Sequence, residues 1–241
     1  MDLKEKQPNG YYSIEIEDFF KSAFSIDPVI FGFENDELKV LLVERGAEPY
    51  MGYFALPGDL VYPDEDLDLA ASRILYDLTQ LSDVYMEQVY TFGSVNRHPY
   101  GRVITVAYYS LINIRSFNVD ASSWAKQANW YPVENLPKLA FDHEVILNRA
   151  LKRLQERVRT RPIGFELLPS KFTLRQLQSL YEALLKTELD TRNFRKKVLS
   201  MGLLRNLDER QQGVAHRPAK LYSFDNEAYE ELTKRGLNFD L

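Results

Sequence analysis

Apolar positions change period several times along the chain, and each change marks an element. Residues 25–33 (SIDPVIFGF) and 38–45 (LKVLLVER) are rich in β-branched and apolar residues. Asn35-Asp36 between them is a turn signal, so the pair predicts a hairpin. Residues 46–64 collect glycine, proline and aromatics and predict a loop carrying a short strand. Leu67, Ala70, Ala71, Ile74, Leu75, Leu78 and Leu81 recur at helical spacing and predict a helix with one buried face. Residues 89–95 and 103–112 predict strands, separated by the polar loop 96–102 (NRHPYGR). Residues 142–159 (DHEVILNRALKRLQERVR) predict a long helix, with Asp142 placed to cap its start. Basic residues crowd its end, where they suit the macrodipole. Ahead of all these, Ile16, Phe19, Phe20 and Phe24 fit either a short amphipathic helix or an extended arm.

The segment 160–164 (TRPIG) breaks the long helix, which predicts two domains, 1–160 and 161–241. In the second, Leu174, Leu177, Leu180, Tyr181, Leu184 and Leu185 define an amphipathic helix over 173–186 with Thr173 as its cap. Three or four residues later Asp190 caps a second helix over 191–201, closed by Gly202 at the C′ position. Residues 203–207 and 220–224 then pair as strands around a long polar, basic connection, 208–219. Helix, helix and hairpin in this order predict a winged helix-turn-helix.

Charge reinforces that division. From Arg161 onward 14 Lys and Arg face 11 Asp and Glu, a net of +3, against −8 for the first 160 residues. A basic module on an acidic chain points toward nucleic acid. The absence of cysteine excludes disulfides, thiolate metal sites, Fe–S clusters and cysteine nucleophiles. His98, His143 and His216 are too far apart to form a local metal pair, so neither a metal nor another cofactor is expected. No apolar run reaches the ~18 residues of a membrane span, and the charged start (MDLKEK) lacks a signal peptide's apolar stretch. A cytoplasmic protein without a membrane partner is expected.

The helix TRNFRKKVLSMG carries a stripe of Phe194, Val198 and Met201. Arg192, Asn193, Arg195, Lys196 and Lys197 lie mostly off it, where they are candidates for DNA contact. Arginine reads guanine and asparagine reads adenine through paired hydrogen bonds, while lysine more often holds phosphate. Arg210, His216, Arg217 and Lys220 in the hairpin suit the backbone or the minor groove, and Thr173 joins the candidates at the start of the preceding helix. A solvated basic face, or a winged helix that binds protein, is the competing account.

The segment LPGDLVYPDEDLDLAASRIL (56–75) resembles the Nudix box, Gly-x5-Glu-x7-Arg-Glu-apolar-x-Glu-Glu-x-Gly-apolar, with no insertion. Its first Gly falls on Asp59, its Glu on Glu65, its Arg on Arg73, and its later apolar positions on Leu75 and Leu81. Where the pattern has its remaining glutamates this chain has Ile74, Asp77 and Leu78, and where it has its late glycine, Gln80. In active Nudix hydrolases those glutamates hold Mg²⁺, which polarises the pyrophosphate. The resemblance therefore implies a Nudix-like domain that has lost hydrolysis, with Glu65 and Arg73 bracing the loop–helix corner.

A degenerate Nudix domain before a winged helix resembles the Nudix-related transcriptional regulators, with VNRHPYGRVITVAYY (95–109), TRNFRKKVL (191–199) and WYPVENLPKLAFDHEVIL (130–147) as further carriers. The implied fold is an α/β (α+β) Nudix-like domain, a mixed sheet between helices, followed by a winged helix-turn-helix domain. The implied partners are palindromic double-stranded operator DNA, a second copy of the chain in a homodimer, and a small-molecule effector. NrtR-type members sense an ADP-ribose-like nucleotide and control NAD synthesis; AraR-type members sense L-arabinose.

Lost carboxylates and Asp59 disfavour a doubly charged pyrophosphate, while carboxylates accept sugar hydroxyls well. The first expectation is accordingly a repressor of L-arabinose utilisation genes, with no enzymatic activity. A regulator responsive to ADP-ribose and an active nucleotide-pyrophosphate hydrolase are the alternatives. Effector candidates are Asp59, Glu65 and Asp77 on the loop–helix side, with Arg45, Tyr53, Phe54, Asn96, Arg97, His98 and Arg102 nearby, and Tyr100 as a further stacking surface. His143 is expected at a helix start rather than in a site, and Trp124 and Trp130 in a core or interface.

Overall fold

The computed structural model describes residues 21–80, 82, 84, 86–116, 125–214, 217–236 and 239. Ile16, Phe19, Phe20, Leu81, Trp124 and His216 lie outside the described residues.

Strands β1 (Ala23–Glu34) and β2 (Glu37–Arg45) form the expected hairpin, turned by Asn35 and Asp36 at φ 54° and 61°. Both residue types tolerate this left-handed conformation, which a tight hairpin turn requires. Short strands β3 (Phe54–Ala55) and β4 (Asp59–Leu60) follow, then helix α1 (Leu67–Thr79), β5 (Met86–Phe92), β6 (Val103–Ile112), β7 (Ala125–Pro132) and helix α2 (His143–Thr160). The sheet is mixed and runs β3-β2-β1-β6-β5, with β4 added to β1 and β7 to β2. β1 and β6 are parallel and the remaining pairs antiparallel.

The alternation along β1 assigns its two faces. Ile26 packs with Ala70, Ala71 and Ile74 of α1, and Ile30 with Leu75. Val29 and Phe31 face the opposite way, into a core with Ile146, Leu147, Ala150 and Leu154 of α2. Asp27 shares that second face by strand periodicity, which turns its carboxylate toward the start of α2.

The single short strand expected within 46–64 is two, β3 and β4, and two further strands differ from expectation. β5 begins three residues earlier, because its register is set by β6: Met86 opposes Ser110 and Phe92 opposes Thr105, with a bulge between Gln88 and Tyr90. β7, not expected as a strand, is held by pairing along β2 from Lys39 to Arg45. Helix α1 ends at Gln80, whose φ of 61° gives the left-handed cap for which the Nudix pattern has glycine. Asp142 stands at the N-cap position of α2, yet no helix amide donates to its carboxylate.

Beyond α2 the chain makes a 3-10 turn (Pro162–Leu167), then α3 (Leu174–Leu185), α4 (Thr191–Ser200), β8 (Leu204–Arg210), β9 (Lys220–Phe224) and α5 (Asn226–Lys234). Thr173 caps α3 in a reciprocal box with Gln176. Asp190 accepts from the Asn193 amide at 2.8 Å to cap α4. The α3–α4 connection spans residues 186–190, longer than expected, because Lys186 turns left-handed and ends α3 at Leu185. Gln178 holds this turn by donating to the Leu189 carbonyl at 2.9 Å. Gly202 has φ 69°, as its C′ position requires. Phe172 bridges to Tyr222, adding a third segment beside the β8–β9 wing. Helix α5 follows the hairpin that closed the sequence reading, and Asp225 caps it. The core continues from Leu154 and Val158 into Phe165, Leu177, Leu180 and Tyr181, and Gln155 donates to the Leu184 carbonyl at 3.0 Å. No helix among the described residues is long and apolar enough to cross a membrane.

Candidate functional site

A cavity of about 300 Å³ opens where β1, the end of β2, the β3–β4 segment, the loop after β5 and the start of α2 converge. Asp27 and His143 form its floor, both 5% exposed. His143 Nδ1 accepts a 2.9 Å hydrogen bond from the Leu56 amide. An acceptor at Nδ1 places the ring proton of neutral histidine on Nε2, the atom that lies 3.7 Å from Asp27 Oδ1. Burial pushes the His143 pKa down, against the opposing pull of Asp27 and Asp142. Asp27 Oδ2 accepts from the Thr105 hydroxyl at 2.6 Å and faces Arg97 Nη2 at 3.6 Å. A side chain at position 58 would place its Cβ 2.1 Å from Asp27 Oδ1, so Gly58 is the residue that lets the loop approach the carboxylate.

Arg97 explains the uncapped start of α2. Its Nε and Nη2 atoms donate to the Asp142 carboxylate at 3.0 and 2.7 Å. The loop after β5 is thereby clamped to the head of α2. The His98 ring stacks on Phe141 at 5.1 Å, and the Arg45 guanidinium lies 4.9 Å from the same ring. Burial lowers the His98 pKa, and Arg97 and Arg45 lower it further. Arg45 is lowered mainly by burial and donates to the Pro49 carbonyl at 2.7 Å. Phe141 adopts φ 53°, unusual for an aromatic residue, and such conformations gather at binding sites.

Of the expected effector residues, Arg45, Asp59, Arg97 and His98 line this cavity. Asp59 is exposed, and its Oδ1 accepts from the adjacent Leu60 amide at 2.7 Å. The others lie elsewhere. Glu65 grips Arg73 through both oxygens and accepts from the Tyr62 amide at 2.7 Å. Arg73 also donates to the Leu60 carbonyl at 3.0 Å and reaches Asp77 at 3.7 Å, so this cluster braces the loop–helix corner. Tyr53 receives Lys138 at 3.3 Å, and Phe54 packs edge-on against Tyr131. Asn96 and Tyr100 are exposed and outside the lining, and Arg102 donates to the Gly93 carbonyl. Asp27, Phe141 and His143 line the cavity although the sequence reading had not chosen them. His143 is both the first residue of α2 and part of the floor. The available signal was a carboxylate inside an otherwise apolar strand.

At the far end of the chain, Phe194 and Val198 are buried and pack α4 onto the core. Arg192, Asn193, Arg195, Lys196 and Lys197 are exposed along its other faces. In the wing Arg210, Arg217 and Lys220 are exposed, and Arg210 donates to the Pro218 carbonyl at 3.1 Å. Thr173 is 3% exposed and its hydroxyl accepts from the Gln176 amide at 3.1 Å, which assigns that oxygen to the cap rather than to a surface.

Residues 26–152 match the Nudix domain model, and residues 164–224 match the NrtR DNA-binding winged helix domain. The ADPR responsive transcriptional repressor NtrR of Acinetobacter baylyi is 32% identical over 217 residues, covering 88% of this chain and 86% of the relative. The chain belongs to the NrtR-type regulators. The crystal structure of Shewanella oneidensis NrtR complexed with a 27mer DNA superposes with a TM-score of 0.74 at 29% identity, covering 86% of this chain and 95% of that one. The Nudix domain of the same protein complexed with ADP ribose covers 59% of this chain, with a TM-score of 0.53 at 29% identity. The ADP-ribose pyrophosphatase of Methanocaldococcus jannaschii is 33% identical over 129 residues, 54% of this chain and 73% of that enzyme.

The Mg²⁺ implied by the Nudix fold requires a near-octahedral set of oxygen ligands. Within the box of this NrtR-type chain, Ile74 is buried and apolar, and both Glu65 oxygens are engaged by Arg73, one of them also by the Tyr62 amide. Asp77 faces the same arginine. Among the described residues no three His, Asp or Glu side chains converge to hold a metal. The donor set does not fit the ion.

Proposed function

We propose that this chain is a DNA-binding transcriptional repressor whose Nudix-like domain, residues 1–160, binds ADP-ribose without hydrolysing it and controls the winged helix of residues 161–241. The observation that carries this reading is the similarity to an ADPR responsive repressor across both units at once. It displaces L-arabinose from first place. The cavity adds chemical support: Arg45 and Arg97 offer cationic walls to a diphosphate, while Asp27 and Asp59 offer acceptors to hydroxyls. The exposed basic face of α4 would enter the major groove and the wing would follow the backbone. Two copies would bind a palindromic operator as a homodimer.

The test is fluorescence anisotropy at fixed salt on DNA from upstream of the chain's own gene and its neighbours, with ADP-ribose and with L-arabinose. Release of bound DNA by ADP-ribose alone is the expected result. Release by L-arabinose alone would overturn the nucleotide reading. Mg²⁺-dependent formation of AMP from ADP-ribose would overturn the non-hydrolytic one.

A further inference from the structure

We propose that Asp27 is the specificity-determining residue of the cavity, accepting a hydrogen bond from one hydroxyl of a sugar-ring diol whose neighbouring hydroxyl meets His143. The proposal rests on the reading of this cavity as the effector site. Its argument is the unequal treatment of the two carboxylate oxygens. Oδ2 is committed, taking the Thr105 hydroxyl at 2.6 Å with Arg97 at 3.6 Å. Oδ1 has His143 Nε2 at 3.7 Å, too long for a hydrogen bond. It lies against Gly58, whose missing side chain lets the loop reach the carboxylate, and Asp27 lines the cavity. A nine-tenths-buried carboxylate with incomplete hydrogen bonding is costly unless a ligand completes it.

The surroundings fix which ligand chemistry does so. Asp27 cannot swing away, because β1 holds its backbone between β6 and β4, and Thr105 pins one oxygen. His143 cannot present an acceptor in its place, since the Leu56 amide occupies Nδ1. The wall formed by Asp27 and His143 therefore offers one carboxylate acceptor and one N–H donor side by side. A pair of neighbouring hydroxyls matches this, one donating to Asp27 Oδ1 and the other accepting from His143 Nε2. A bare phosphate oxygen does not, because it would face the carboxylate. The diol has three possible sources: the terminal ribose of ADP-ribose, which is the one proposed, its adenosine ribose, which ADP shares, or a free pentose.

The experiment is calorimetry on the full chain and on Asp27→Asn, with ADP-ribose, with ADP (which lacks the terminal ribose) and with L-arabinose. In Asp27→Asn the affinity for ADP-ribose should fall about tenfold to a hundredfold, the loss expected for one hydrogen bond to a charged group. ADP affinity should stay within about twofold of the parent. Unchanged ADP-ribose affinity would overturn the role of Asp27, and equal losses for both nucleotides would overturn the terminal ribose as its partner. L-arabinose binding weakened by Asp27→Asn, with no ADP-ribose binding, would uphold the diol site and overturn the nucleotide reading instead. Binding of neither sugar compound by the parent would overturn both. If Asp27→Asn lacks a cooperative melt, Thr105→Val carries the test. It frees Oδ2 without touching the cavity charge and should lower the ADP-ribose-to-ADP affinity ratio; an unchanged ratio would overturn the proposal.

Discussion

Replacing Arg97 by methionine keeps the length of the side chain and removes its charge from the head of α2. The Arg97 side chain is 4% exposed and makes two hydrogen bonds to Asp142, at 2.7 and 3.0 Å, with Asp27 at 3.6 Å. Breaking a buried pair from one side leaves an uncompensated charge and costs about 3–5 kcal/mol. Here the Asp142 side chain is 23% exposed and can recover some hydration, so the low end, about 3 kcal/mol, is expected. With a urea slope of about 2 kcal/mol/M, the unfolding midpoint should fall by about 1.5 M. Asp142→Asn in the same background should restore much of the loss, because the neutral amide no longer requires a cation. A double-mutant cycle in urea should give a coupling of about 2 kcal/mol. A midpoint within about 0.2 M of the parent, or strictly additive losses, would refute the clamp between the loop after β5 and α2.

Glu65 has its pKa lowered to about 2, chiefly by its hydrogen bonds from Arg73. A depressed carboxylate contributes its stability above the ordinary value of 4.5 and loses it as pH falls through the folded value. The stability difference between Glu65→Gln and the parent should therefore be full above pH 4.5 and fade toward pH 2, and a difference flat across that window in urea unfolding would disprove it. Thr173→Ala should cost about 1 kcal/mol of stability through the lost cap, while operator affinity of the folded protein stays near the parent's; a large affinity loss would return Thr173 to the DNA surface. Arg195→Ala and Lys196→Ala should each weaken operator binding while leaving effector binding intact. If Lys196 meets phosphate, its loss should flatten the salt dependence by about one unit of slope, and anisotropy titrations at several salt concentrations read both effects. Asp59→Ala should weaken effector binding without abolishing DNA binding, and unchanged affinity by calorimetry would remove this exposed carboxylate from the site.

Elements whose stability is local were legible in the chain. Asn35-Asp36 turns the first hairpin, Thr173 and Asp190 cap their helices, and Gly202 ends α4 where its positive φ is needed. In each case the controlling partner lies within a few residues, so side-chain chemistry and spacing suffice. The basic face of α4 was legible for the same reason, since helical period alone separates it from Phe194 and Val198. The Nudix spacing also located the corner held by Glu65 and Arg73, a pair eight positions apart.

Tertiary structure decided the rest. β7 has no clean alternation of its own and exists because β2 supplies its hydrogen-bond partners. The start of β5 depends on the register that β6 imposes. Asp142 reads as a helix cap by position, but Arg97, 45 residues away, takes its carboxylate. The floor of the cavity is the extreme case. Leu56 and His143 are 87 residues apart, Asp27 and Thr105 are 78 apart, and each becomes informative only when the other is beside it. Periodicity records which face of an element is buried. It carries no information about which distant group that face meets, and the chemistry of this site resides in those meetings.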